Sequence, residues 1–129
     1  MVENVKEFFE ADVFAKNVGV VIDTVDDGKA TGHLDVNDSH LNANGFCQGG
    51  AIFTLADTIL AVAANSRELG SVSIQADIKY ISAVTKGRLE AVATEIVNHH
   101  RLPSFDVILT QNGNIVAKMG ALCYHKSKK

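Results

Sequence analysis

The chain has 129 residues, 47% of them hydrophobic and 21% charged, with a formal net charge of −3. That is ordinary globular usage, and residues 1–129 suffice for one domain with a full hydrophobic core. It excludes a disordered chain, which needs fewer apolar residues and more net charge, and it supplies no basic face for nucleic acid.

Two cysteines, Cys47 and Cys123, are too few for a disulfide framework and suit a reducing compartment. The first residues mix acidic and apolar side chains without a basic region followed by an apolar run, so no signal peptide is expected. The longest strongly apolar run, residues 51–64, contains Asp57 and is too short to span a bilayer. The expected setting is the cytoplasm, with neither membrane nor nucleic acid as a partner.

Val5, Phe8, Phe9 and Val13 recur at roughly helical spacing and predict one short amphipathic helix over residues 2–14. Residues 19–25 are β-branched and apolar, and Asp26-Asp27-Gly28 signals a turn. Ala30, Gly32, Leu34 and Val36 then alternate along one face, completing a predicted hairpin. Residues 37–50 are rich in Asn, Asp, Ser and Gly and read as a loop. Residues 51–66 carry the one strong helix signal, rich in Ala and Leu, free of Gly and Pro, and ending near Gly70. It is apolar nearly all round, which predicts burial rather than a surface position.

Four strands should follow. Val72, Ile74, Ala76, Ile78 and Tyr80 alternate with Ser73, Gln75, Asp77 and Lys79. Residues 88–97 are β-prone, and Phe105, Val107 and Leu109 alternate with Asp106 and Thr110. Asn112-Gly113 marks a tight turn, after which residues 115–124 return. Residues 126–129 read as a frayed, solvated tail. The order and the short connections predict an α+β fold, a curved antiparallel sheet wrapped around one buried helix.

Asp57 is the one charged residue between Gly50 and Ser66. Carboxylates are almost never fully buried without a partner, and no Lys or Arg lies three or four residues away to supply one. Thr54 and Thr58 can hydrogen-bond but not neutralise it. Either Asp57 is a functional carboxylate, or it faces solvent or is held by the threonines; periodicity alone leaves both open.

Gly49-Gly50 stands just before the helix. A helix N-terminus presents unpaired N–H groups and a positive dipole end, and glycine lets a ligand approach the backbone. Such donors could stabilise a carbonyl oxygen gaining negative charge, although a plain turn also explains the pair. Gly49 and Asp57 are eight residues apart, roughly 12 Å along a helix axis. A base and an oxyanion donor must each lie within about 3–3.5 Å of the reacting group. If both are catalytic, the site is completed across a subunit interface.

The run from His40 through Asn42, Gln48, Gly49 and Gly50 into Leu55-Ala56-Asp57-Thr58 resembles the hotdog-fold thioesterases of the phenylacetate-degradation (PaaI-like) type. Their signature is roughly N-x-x-G-x-x-H-G-G, an apolar stretch, then L-A-D-T. Asn65-Ser66 and the order of elements resemble that group too. The resemblance implies an acyl-coenzyme A thioesterase of hotdog fold. It implies a homodimer with joined sheets, commonly paired again into a tetramer, with the site at the dimer interface. Asp57 would be nucleophile or general base, and the Gly49 N–H would polarise the thioester carbonyl from the opposite subunit. Asn42 and Ser73 would orient substrate, water or carboxylate. Gln48 and Gly50 would support binding, and the pantetheine arm would lie along Ser73, Ile74 and Gln75. No metal or organic cofactor is implied, coenzyme A being part of the substrate.

The sequence departs from this pattern twice. Gln48 replaces the usual His and cannot take up a proton as His does. The turn after Val97 lacks the Gly- and basic-rich character of relatives, and Pro103 has no N–H to offer. Arg101 is the candidate there for coenzyme A phosphates, with Lys86 and Arg88 as substitutes. The Gln48 change motivates an alternative, a non-catalytic acyl-CoA-binding hotdog protein. A hydratase reading is weaker, because no His lies between Gly45 and Asp57. Cys47 reads as a small apolar filler, and the five histidines, at no metal-site spacing, as exposed loop residues.

Overall fold

The computed structural model describes residues 5–126. Residues 2–4 of the first predicted helix and 127–129 of the predicted tail lie outside them. The first helix is in fact two, α1 (Val5–Glu10) and α2 (Val13–Val18). Asp12 divides them, because its backbone is extended and its carboxylate accepts the Ala15 N–H at 3.0 Å, capping α2.

β1 (Val21–Asp26) and β2 (Lys29–Val36) form the predicted hairpin. Gly32 has no room for a side chain: a Cβ there would meet the Val21 carbonyl at 2.6 Å and press into Ile59. The predicted loop contains a single 3-10 turn, Asp38–His40.

The long helix, α3, runs over Gly49–Ala64 rather than 51–66. It starts two residues early because Gln48 caps it, accepting the Gly50 N–H with its side-chain oxygen. It stops before Asn65, whose amide donates to the Ala61 and Ser71 carbonyls while its oxygen accepts the Gly70 and Ser71 N–H groups. Ser66 turns back to accept the Gly28 N–H at 2.8 Å.

β3 (Ser71–Tyr80), β4 (Gly87–Val97), β5 (Ser104–Gln111) and β6 (Asn114–His125) complete a six-stranded sheet of order β1-β2-β4-β5-β6-β3, antiparallel throughout. β3 crosses over to an edge instead of pairing with β4. The sheet wraps α3, and Leu34, Leu55, Ile59, Leu89, Leu109 and Met119 form the buried seam. This is the predicted α+β hotdog arrangement. The burial of α3 is incomplete, however: Gly50 is exposed, and Thr54, Asp57, Ala61 and Ala64 are only partly buried along one stripe.

The apolar alternation in β3 is interrupted. Ser73 lies opposite Cys123 and Gln75 opposite Leu122, so Ile74 is an extra residue, a β-bulge. Paired residues share a face. Ser71 and Ser73 therefore lie on the α3 side with the buried Cys123, Ser71 buried and Ser73 exposed at the cavity rim, whereas Val72 and Ile74 stand 51% and 54% exposed on the other face. Beyond the bulge Ala76 and Ile78 pack on the core. The even-numbered apolar residues thus do not share one face.

His99 and His100 are exposed as predicted, but His33 and His40 are buried, and His125 is partly buried at the end of β6 rather than in an exposed loop. His33 Nδ1 lies 2.8 Å from the Asp23 carboxylate. His40 Nδ1 accepts the Asn37 N–H and its Nε2 donates to the Val18 carbonyl, so burial leaves neither His40 nitrogen unpaired. Both cysteines are free and buried, and burial pushes each thiol up to about 11, as fits structural fillers. No helix among the described residues is long and apolar enough to cross a membrane.

Candidate active site

Asp57 sits on the partly open stripe of α3. It lines a cavity of about 250 Å³ with Phe9, Leu60, Ala61, Ser73 and Cys123. Neither threonine holds it, because Thr54 donates to the Gly50 carbonyl and Thr58 to the Thr54 carbonyl. Among the described residues its carboxylate has no hydrogen-bond or ion-pair partner. Burial raises its carboxyl above the usual carboxylate range, and the negative charge of Asp12 acts in the same direction.

Gly49 opens α3 beside a second cavity, of about 330 Å³, which it lines with Asn42, Ile52 and Tyr80. Its N–H has no acceptor among the described residues, as expected for the first residue of a helix. Tyr80 reaches across from the end of β3 and donates its hydroxyl to the Gly49 carbonyl at 3.1 Å. A Cβ on Gly49 would lie 3.2 Å from the exposed Tyr80 ring, so a side chain there requires the ring to give way by a few tenths of an ångström. Burial raises the Tyr80 phenol. Asn42 folds its own loop, its side-chain oxygen accepting the Asn44 and Phe46 N–H groups at 2.9 and 3.1 Å. That fixes the amide orientation and leaves its NH₂ without an acceptor among the described residues.

Gln48 and Gly50 line a third cavity, of about 460 Å³, with Phe14, Ser39 and His40. Because Gln48 already accepts the Gly50 N–H, one predicted binding donor is covered by another predicted binding residue. Ser73 joins Asp57, while Ile74 and Gln75 are exposed on the bulged edge of β3 and Gln75 donates to Asp77. Arg101 is exposed and donates to the Tyr124 hydroxyl at 3.2 Å. Lys86 and Arg88 are already ion-paired, with Asp38 and with Glu90 and Asp23.

The predicted catalytic set therefore divides within one protomer. Asp57 and Ser73 share one cavity, Asn42 and Gly49 another, on the same helix. Tyr80 and Phe9 were not singled out from sequence. The hydroxyl that ends an otherwise apolar alternation is a signal that could have pointed to Tyr80; Phe9 gave none beyond helical spacing. Among the described residues no group of three His, Cys, Asp or Glu side chains is placed to hold a metal.

The thioesterase superfamily family model matches residues 44–98, the stretch that holds Gly49, Asp57 and Ser73. A curated relative from Archaeoglobus fulgidus is 36% identical over 98 residues, covering 74% of this chain and 64% of that protein. The acyl-coenzyme A thioesterase PaaI of Escherichia coli is 35% identical over 79 residues, covering 61% of this chain and 56% of that protein. The aligned stretch thus spans less than two thirds of either relative's length. In three dimensions E. coli PaaI superimposes with a TM-score of 0.91 at 28% identity, covering 96% of this chain and 91% of that one. A hypothetical thioesterase of Streptococcus pneumoniae TIGR4, solved with coenzyme A, superimposes with a TM-score of 0.86 at 26% identity, covering 95% and 98%.

One antiparallel sheet wrapped around one long helix, with a carboxylate on that helix's open stripe, defines a hotdog-fold protein. In sequence and structure the chain is similar to the thioesterase superfamily and to the PaaI-like proteins of that fold.

Proposed function

We propose that the protein hydrolyses an acyl-coenzyme A thioester, acting as a homodimer in which each site takes Asp57 from one protomer and Gly49 from the other, with dimers pairing again into a tetramer. One observation carries this reading: a half-buried carboxylate and a glycine N–H, both without partners among the described residues, sit on one helix but line different cavities. Two copies meeting along the open edge of β3, where Val72 and Ile74 stand exposed, would join their sheets and bring the halves together. That E. coli PaaI is an acyl-coenzyme A thioesterase and that the S. pneumoniae protein was solved with coenzyme A support the substrate class. Two free cysteines suit a cytoplasmic setting.

Asp57 acts as general base, its raised pKa making it the stronger acceptor of a proton from water. As that proton moves to Asp57, the water oxygen bonds to the thioester carbon and negative charge gathers on the carbonyl oxygen. The Gly49 N–H of the opposite protomer meets that charge, aided by the helix dipole. The C–S bond then breaks, and the thiolate recovers the proton from Asp57. Ser73 positions the water or the carboxylate, and the free Asn42 amide holds substrate near Gly49. Ile74 and Gln75 offer their side chains to the pantetheine arm beside the joined edge, Gln48 and Gly50 shape its entry, and Arg101 is the phosphate contact. No cofactor takes part.

The test is a panel of acyl-CoA substrates assayed for free thiol, with Asp57→Asn as the control. Turnover that falls by about 100-fold or more in the variant supports the assignment. Binding without thiol release at every chain length would favour the acyl-CoA-binding alternative instead. Single turnover in ¹⁸O water separates base from nucleophile, since a nucleophilic Asp57 would take up label.

A further inference from the structure

Three residues outside this machinery form an array of their own. Ser71 begins β3 and His125 ends β6, directly opposite each other in the ladder, and Glu68 lies in the connection after α3. The Ser71 hydroxyl is 2.6 Å from His125 Nδ1, and His125 Nε2 is 3.3 Å from the Glu68 carboxylate. An ionised carboxylate only accepts hydrogen bonds. The neutral imidazole must then carry its proton on Nε2, which leaves a lone pair on Nδ1 for the Ser71 hydroxyl to donate to. Nucleophile, base and orienting carboxylate stand in that order, the arrangement that activates a serine.

The surroundings complete the requirement. Asn65 grips the Ser71 backbone from both sides, accepting its N–H at 2.9 Å and donating to its carbonyl at 3.1 Å. Ser71 is 8% exposed, and it lines two cavities. One is the cavity of Asp57. The other, of about 260 Å³, also holds Arg67, Glu68, Asn98 and His125. A serine that merely tied two strand ends together would need neither a carboxylate behind the imidazole nor open space in front of the hydroxyl.

We propose that Ser71, His125 and Glu68 form a second nucleophilic centre, which cleaves small uncharged esters through a serine acyl-enzyme. The Ser71 oxygen bonds to the ester carbon as its proton passes to His125 Nδ1. The ester C–O bond breaks, and the leaving alkoxide takes that proton away as an alcohol. Water then gives a proton to Nδ1 and its oxygen to the acyl carbon. The acyl–serine bond breaks, the acid departs, and Ser71 recovers its proton. The Asn98 amide is the donor on the cavity wall for the developing oxyanion, and the Arg67 guanidinium beside it is already paired with Glu95 at 3.0 Å.

The experiment treats the full-length protein with a fluorophosphonate probe and locates the adduct by mass spectrometry. The expected result is labelling on Ser71, equally in wild type and in Asp57→Asn. His125→Gln should slow it about 100-fold or more, and Glu68→Gln should slow it too, with folding checked by circular dichroism. Absence of a Ser71 adduct overturns the proposal, as does an unchanged rate in folded His125→Gln. If that variant does not fold, Glu68→Gln decides, and an unchanged rate there overturns the proposal. Hydrolysis of p-nitrophenyl acetate gives a second readout. Activity that survives Asp57→Asn and is lost in Ser71→Ala supports the centre, and the reverse pattern overturns it.

Discussion

The Gln48 side-chain oxygen accepts the Gly50 N–H at 2.5 Å, while the Gly49 N–H beside it has no acceptor among the described residues. Gln48 thus closes one of two adjacent backbone donors and leaves the other open. Gln48→Ala should lower the unfolding free energy by about 1 kcal/mol, the usual cost of losing a cap. It should also free a second donor at the helix end. Urea titration measures the first effect. Substrate specificity across the acyl-CoA panel, compared with Gln48→His, measures the second.

If each site draws Asp57 and Gly49 from different protomers, two inactive variants should rescue each other. Gly49→Pro removes the free N–H at a first-turn position that accepts proline, and the preceding Gln48 already has a compatible ψ of 135°. Asp57→Asn removes the carboxylate. Equal mixing with subunit exchange leaves about a quarter of the sites carrying both native groups, by the statistics of a two-fold dimer. Recovered turnover near that level is the expected outcome. None after verified exchange would put both groups in one chain.

The raised carboxyl of Asp57 has a consequence for stability. Below the ordinary unfolded carboxylate value, about 3.9, the group is protonated in both states and costs the fold nothing. As pH rises through the higher folded value, the unfolded chain ionises more readily and stability is lost. Asp57→Asn lacks this penalty and should be more stable than wild type at neutral pH, with the gain shrinking toward pH 3. Thermal melts across that range measure the difference, and a variant less stable at neutral pH would contradict it.

Gly32 is the tightest point between the hairpin and α3. Gly32→Ala would press a methyl group against the Val21 carbonyl and Ile59. Overpacking of this kind costs typically about 1–3 kcal/mol. Ile59→Val in the same chain should recover part of the loss, because it shortens the nearest side chain. Denaturant midpoints of the single and double variants measure the coupling.

The strand count, the long helix and the Asp57–Gly49 spacing were legible because periodicity and turn residues are local signals. The break at Asp12 was hidden beneath apolar spacing that continues through it, with Val5 and Ala15 buried on either side. The placement of β3 beside β6 was not legible, since pairing between distant strands leaves no mark on either segment alone. Ser71–His125–Glu68 was missed for the same reason: a 54-residue separation joins the first two. Alternation in β3 misled because an extra residue cannot be told from a regular one before its partners are known.

That extra residue, Ile74, makes side-chain direction in β3 depend on whether the strand has an odd or even length up to Ala76. A regular ladder that kept Ile74 would set Val72, Ile74, Ala76 and Ile78 on one face, so every local rule reads the unbulged strand as the better one. Yet Val72 would then point at the helix, and Ser71 and Ser73 would swing out to water, away from Asp57 and His125. The bulge therefore works as a reading frame set in geometry: without it the same residues in the same fold would lose the chemistry.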